Sequence, residues 1–207
     1  INLGDEPWEV TADTTVAVYS GAEPADGEYH MHLGDSWLYL RSGGVDVQVT
    51  GLKVNKKVTL TLGLNINNAD QTGQDTAYLY FPDDVEINGT VITQPLTTGT
   101  LGGATVDNRH GAPATDRDKG GLEIDANTIF VGSSAVIDTS GVDGAVNERG
   151  GDGGWIYFWA DYGLFFDGEA LAYGGNGSGT GDGGWGATEA NDARDGINLE
   201  SNGTVIV

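Results

Sequence analysis

Apolar and polar residues alternate at period two through much of this chain, and no segment sustains apolar residues at i, i+3, i+4 and i+7 over three turns. Alternation of this kind marks strands with one buried face, so the pattern predicts an all-β protein without amphipathic helices. The alternating runs are Trp8–Val18 (WEVTADTTVAV), Trp37–Val49 (WLYLRSGGVDVQV), Val58–Ile66 (VTLTLGLNI), Leu79–Ile92, the paired runs from Leu122 and from Ile156, and Ile197–Val207 (INLESNGTVIV). Read as rungs, these begin near residues 8, 38, 58, 79, 122, 156 and 197.

Two of the runs carry the same phrase. LEIDANTIFVGSSAVIDTSG and IYFWADYGLFFDGEALAYGG align with Ala126 on Ala160, 34 residues apart, and then without a gap through Asn127 on Asp161 and Ile137 on Leu171. Each version closes in a Gly-rich turn ending Gly-Asp-Gly-Gly, at 151–154 and 181–184, followed by Trp155 and Trp185. Strand-and-turn units recurring at such a period are the signature of a solenoid. Trp8, Val10 and Ala12 fit the Leu122, Ile124 and Ala126 slots, and Leu38, Leu40 and Ser42 fit them again. Asn127, Asp161 and Asn202 follow the small residue, where a left-handed backbone is expected.

Glycine divides the chain: 24 of 35 lie after residue 100. The sequence therefore predicts an N-terminal β region over 1–93, an exposed loop over 94–121 and a Gly-rich solenoid over 122–207. For the first region, weaker solenoid rungs and a small antiparallel sandwich both satisfy the alternation.

The phrase apolar-x-apolar-x-Ala-Asn/Asp, then Val-Ile-Asp-Thr-Ser-Gly or Ala-Leu-Ala-Tyr-Gly-Gly, then a Gly-rich loop, resembles secreted right-handed parallel β-helix proteins of the filamentous-haemagglutinin and adhesin type. The resemblance covers residues 122–207 well and 8–92 loosely. It implies an extracellular or cell-surface location and a structural or adhesive role without catalysis. Polysaccharide-degrading enzymes share the architecture, so it does not decide function.

Charge narrows the partners. Nine Lys and Arg against 31 Asp and Glu give a formal net charge of −22, which repels nucleic acid and anionic lipid and attracts Ca²⁺. There are no cysteines, hence no disulfides or thiolate metal sites, and no apolar run approaches the ~20 residues that span a bilayer. The chain opens on Ile1 without a signal-peptide pattern, as a processed secreted chain would.

Candidate chemistry is sparse. In order along the chain, Asn68-Ala69-Asp70, Asp83-Asp84, His110-Gly111 and Arg117-Asp118-Lys119 resemble the polygalacturonase motifs. That resemblance would make Asp70, Asp83, Asp84, His110 and Lys119 catalytic, with paired carboxylates hydrolysing a glycosidic bond. Their spacing is wrong for convergence on one face: Asp70 to Asp83 is 13 residues and Gly111 to Arg117 only six. Asp143, Asp152 and Asp182 in the Gly-rich turns are candidate Ca²⁺ ligands, although Asp and Gly are also what tight turns require. Of the five tryptophans, Trp185 in a Gly-rich loop is the candidate for stacking on a sugar, and Trp8, Trp37, Trp155 and Trp159 read as core or rung stacking. Asn88, Asn176 and Asn202 each begin an Asn-Gly-Thr/Ser sequon, and each Asn-Gly is equally a tight turn.

The ends suggest assembly. Ile1-Asn2-Leu3 is repeated as Ile197-Asn198-Leu199, and the chain finishes in the β-branched Thr204-Val205-Ile206-Val207. An uncapped rung offers an unpaired backbone edge. Ile1, Leu3, Val205, Ile206 and Val207 are thus candidate contacts for head-to-tail association of copies of the chain into a filament.

Overall fold

The computed structural model describes residues 7–19, 30–33, 38–42, 45–64, 76–95, 121–141, 143, 146–147, 150–151, 153–183 and 196–207. Among them the regular structure is all β, without a helix. In chain order the strands are β1 (Trp8–Val10), β2 (Thr14–Tyr19), β3 (His30–Leu33), β4 (Leu38–Ser42), β5 (Val45–Val49), β6 (Leu52–Val54), β7 (Thr59–Leu64) and β8 (Thr76–Tyr80). They continue as β9 (Val85–Ile87), β10 (Thr90–Pro95), β11 (Gly121–Val131), β12 (Val136–Asp138), β13 (Ile156–Phe166), β14 (Glu169–Leu171), β15 (Ile197–Ser201) and β16 (Thr204–Ile206).

Two eight-stranded sheets share them. The first runs β1-β6-β9-β11-β13-β15, with β8 also on β11 and β16 also on β13. The second runs β14-β12-β10-β7-β2-β3-β4-β5. The chain crosses from first sheet to second at β1–β2, β6–β7, β9–β10, β11–β12 and β13–β14, and each pass lies parallel to the one before. The result is a parallel, solenoid-like stack of coils. Antiparallel pairing is confined, among the described residues, to β3–β4 and β4–β5.

Register turns alternation into columns. One inward column reads Trp8, Leu52, Val85, Ile129, Leu164, Val205, and the next reads Val10, Val54, Ile87, Val131, Phe166. A third, from the other half of the long strands, reads Leu79, Ile124, Phe158, Leu199. The second sheet adds Leu60, Val91 and Ile137, and both sheets feed one buried cluster. Each buried Leu, Ile or Phe removes enough apolar surface to stabilise by about 1.5–3 kcal/mol, so the columns are the main source of stability.

The long strands contain a bend. In β11 the inward residues are Leu122, Ile124 and Ala126 and then Ile129 and Val131, so the phase of alternation flips near Asn127. In β13 one more residue is accommodated there, and the register breaks between Ala126↔Ala160 and Thr128↔Gly163. A small inward residue, Ala126 over Ala160 over Ser201, sits at this bend.

Four corners between the sheets alternate in length. Residues 55–58 and 132–135 are four-residue corners, whereas 88–89 and 167–168 have two residues. Each short corner nests against the long corner of the preceding coil, shown by Thr90 N donating to Val58 O (2.9 Å) and Glu169 N to Ala135 O (3.0 Å). The short corners are Asn88-Gly89 and Asp167-Gly168. A Cβ on Gly89 would fall onto the carbonyl oxygens of Asn55 and Val58, and one on Gly168 would lie 2.8 Å from Ala135 O.

Several sequence expectations are corrected. Trp8–Val10 stacks on Leu52–Val54, in the column of Ile129–Val131 rather than that of Leu122–Ala126, because three strand residues carry too little pattern to fix register. Trp37–Val49 is not a rung of the parallel stack: its described part forms the β4–β5 hairpin, which with β3 extends the second sheet beyond β2. The ungapped alignment past Ala126 fails twice: the bulge adds a residue in β13, and the corner that follows is two residues shorter than its counterpart, so Ile137 pairs with Ala170 and not Leu171. Asn127, Asp161 and Asn202 are not left-handed; among the described non-glycine residues only Lys57 and Asn147 have positive φ. The antiparallel sandwich alternative for the first region does not describe it, since β1, β2 and β6–β10 belong to the same parallel sheets as β11–β16. Gln94, Pro95 and Gly121 are strand residues, and 96–120 lies outside the described residues.

Substituting Gly89→Ala should destabilise the protein by about 1–3 kcal/mol, the usual range for overpacking. The urea midpoint should fall accordingly, while exposed Ser133→Ala in the neighbouring long corner should change the unfolding free energy by less than about 0.5 kcal/mol.

Candidate functional site

The outward face of the first sheet carries the most chemistry. Where inward positions form apolar columns, the positions between them form two outward columns running up the stack. One reads Tyr78, Glu123, Tyr157, Asn198 and the other Tyr80, Asp125, Trp159, Glu200. Read along the strands instead, these are rows: an aromatic pair on β8, an acidic pair on β11, an aromatic pair on β13, and Asn198 with Glu200 on β15. Rows are separated by the ~4.8 Å strand spacing and columns by about 6.6 Å, two residues along a strand.

The rings are accessible. Tyr78 and Tyr80 are 42% and 49% exposed, and Tyr157 and Trp159 are half-buried between their neighbours. Trp155, just before β13, is itself buried and packs edge-on against Tyr78 with ring centroids 6.2 Å apart. The Tyr157 hydroxyl donates to Glu200 Oε2 at 3.3 Å. Burial first, and then the nearby charges of Glu200, Asp125 and Glu123 with that hydrogen bond, hold the Tyr157 phenol above its ordinary value of 10. The face is therefore aromatic and electronegative together. Rings in such rows offer apolar faces to C–H surfaces, and carboxylates between them accept hydrogen bonds from hydroxyls.

Beyond the bend the outward column changes along the stack. Glu9, Lys53 and Glu86 lie at one end, with Lys53 Nζ 4.0 Å from Glu9 and 3.9 Å from Glu86. Phe130, Phe165 and Ile206, each at least 37% exposed, continue the same column.

The Gly-rich turns form a second feature. Residues of the 139–154 turn stack on those of the 172–183 turn through Gly141 N to Tyr173 O (2.7 Å), Gly175 N to Gly151 O (2.8 Å) and Gly150 N to Asp182 O (3.0 Å). Side chains join in: Asp143 Oδ1 accepts from both the backbone N (2.7 Å) and Nδ2 (3.1 Å) of Asn176, and Asn147 Oδ1 accepts from Thr180 N (3.3 Å). Both contacts span 33 residues, so these polar side chains tie one turn to the next.

The sequence-predicted residues fall as follows. Asp143 is engaged with Asn176, Asp182 contributes its carbonyl to Gly150, and Asp152 lies outside the described residues. Among the described residues no group of three or more His, Asp or Glu is arranged to hold a metal ion. Asp83 and Asp84 have exposed side chains in the segment between β8 and β9, and their backbone carbonyls accept from Asn127 N and Leu52 N. Asp70, His110 and Lys119 lie outside the described residues, as do Ile1, Leu3 and Trp185.

Asn88 is half-buried, donates from Nδ2 to Glu86 (2.6 Å) and accepts at its backbone carbonyl from Ser134 (2.8 Å), which makes it a corner residue. Asn176 is held by Asp143, and Asn202 is exposed. Val205, Ile206 and Val207 are exposed at the edge formed by β16.

The sequence reading missed Tyr78, Tyr80, Glu123, Asp125, Tyr157 and Glu200, and it assigned Trp159 to stacking within the fold. The signal was present, because superposing Leu122 on Ile156 and Ile197 brings Asp125, Trp159 and Glu200 into one column. No helix among the described residues is long and apolar enough to cross a membrane. No family model, curated protein or solved structure matches this chain.

The Tyr157 phenol gives a pH prediction. Because its folded value is raised, its contribution to stability is fully present below pH ~10 and is lost as pH rises through the folded value. Stability should thus fall above pH ~10, and the fall should be smaller in Tyr157→Phe, as followed by urea midpoints and ultraviolet phenol titration.

Proposed function

We propose that the chain is an extracellular, right-handed parallel β-helix that binds carbohydrate on the outward face of its first sheet and so serves an adhesive role. The observation that carries this reading is the alternation of aromatic and acidic pairs over β8, β11, β13 and β15. A flat array of this kind suits an extended glycan: sugar rings lie on aromatic faces, and their hydroxyls donate to the carboxylates between. The acidic composition agrees with an extracellular surface protein, and the resemblance of residues 122–207 to adhesin-type β-helices supports the same reading.

Affinity electrophoresis through gels holding single polysaccharides provides the test. At least one polysaccharide should retard the protein, and Trp159→Ala should weaken that retardation by about tenfold or more, as for an aromatic anchor. Unchanged mobility in every gel would refute the proposal.

A second reading, assembly by strand addition, is favoured by the β15–β16 coil. Ile197 and Val205 are 43% and 41% exposed, whereas Leu122, Ile156 and Leu164 in the same inward columns are fully buried. We take a second copy of the chain as the partner of this edge. Val205→Lys should shorten or abolish fibres seen by electron microscopy; fibres of undiminished length in that variant would end this reading.

A further inference from the structure

Resting on the glycan-platform reading, we infer that the glycan bound at this face is an amine-bearing, cationic one, recognised by carboxylates set between aromatic rows. The acidic pair Glu123 and Asp125 has an aromatic pair on either side in register: Tyr78 and Tyr80 on one, Tyr157 and Trp159 on the other. A cation over this row meets two carboxylates and the electron-rich faces of rings on both flanks, and the two attractions reinforce each other. The next carboxylate, Glu200, stands two rows further on, about 9.6 Å from Asp125 at the strand spacing. Negative charge therefore recurs along the stack at an interval that a chain of repeating amino sugars can match.

Charge complementarity selects this occupant. Among the described side chains the cations are Lys53, Lys56 and Lys57, on β6 and the corner after it, and none lies in the two outward columns. The formal net charge of −22 adds a long-range field of the same sign. The Tyr157 phenol, raised first by burial, is raised further by the charges of Glu200, Asp125 and Glu123, which stand around it on this face. A uronate polymer would meet repulsion here, and an uncharged polymer would leave the charge unused.

A matched pair of ligands isolates the charge. The full chain is titrated at about pH 5.5, where carboxylates are ionised, with β-linked glucosamine oligomers in fully de-N-acetylated and fully N-acetylated form. The amine-bearing oligomer should bind about tenfold or more tightly, and raising salt from about 50 mM to about 0.5 M should erase most of that difference. The isosteric E123Q/D125N double variant should lose the difference, and Glu123→Gln alone should reduce it should the double variant fold poorly. Trp159→Ala should weaken both oligomers. Equal binding of the pair, or preference for the acetylated form, would overturn the inference, as would poly-lysine competing as well as the amino-sugar chain. Should neither oligomer bind while a neutral or uronate polymer does, the charge inference fails and the platform stands. Should no glycan bind at all, both fail.

Discussion

Everything in this molecule depends on parallel backbone pairing between successive coils. A coil cannot satisfy its own N–H and C=O groups; it does so by lying on the coil before it and under the coil after it. That requirement fixes the spacing of the coils and forces like positions into columns. The inward columns through Leu52, Val85, Ile129 and Leu164 then exclude water, and the sum of these burials offsets the conformational entropy lost in ordering so many short strands.

The corners follow from the same constraint. Coils stacked at a constant spacing bring their corners into direct contact, so neighbouring corners must fit one another. Here a four-residue corner alternates with a two-residue one, and the short corner tucks into the long one only because its second residue is glycine. Two of the three sequons thereby acquire a structural explanation. Asn88-Gly89 turns the chain between the sheets, Asn202-Gly203 sits at the bend between β15 and β16, and Thr90 and Thr204 each open the following strand. The Gly-rich turns solve a similar problem differently, stacking main chain on main chain and pinning it with Asp143 and Asn147.

How much of this was legible in the sequence depended on strand length. Leu122, Ile156 and Ile197 announce their equivalence because a run of five alternating residues begins at each of them, and the all-β parallel character was readable there. Trp8–Val10 and Leu52–Val54 are three-residue strands, too short to reveal their register, and Leu38–Val49 alternates just as well as a hairpin. The outward rows were hidden for a related reason. Alternation says that Tyr78, Glu123 and Tyr157 point away from the core, but only correct registration shows that they stand above one another. The Ala126-on-Ala160 alignment already sets Glu123 on Tyr157 and Asp125 on Trp159, because the bulge falls after Ala126; the row it could not supply is Tyr78 and Tyr80, on a five-residue strand that lacks the repeated phrase.

The outward column Glu9, Lys53, Glu86, Phe130, Phe165, Ile206 changes from ionic to apolar along the stack. Such a gradient makes the earlier and later coils of this one face answer oppositely to the same solvent. Added salt screens the half-exposed Lys53 pairs, worth little in any case, while salting-out ions strengthen whatever gathers on the phenylalanines. Two such molecules in a salting-out medium would thus be drawn together along the side of the stack that carries Phe130, Phe165 and Ile206, whereas at low salt the net charge of −22 holds them apart.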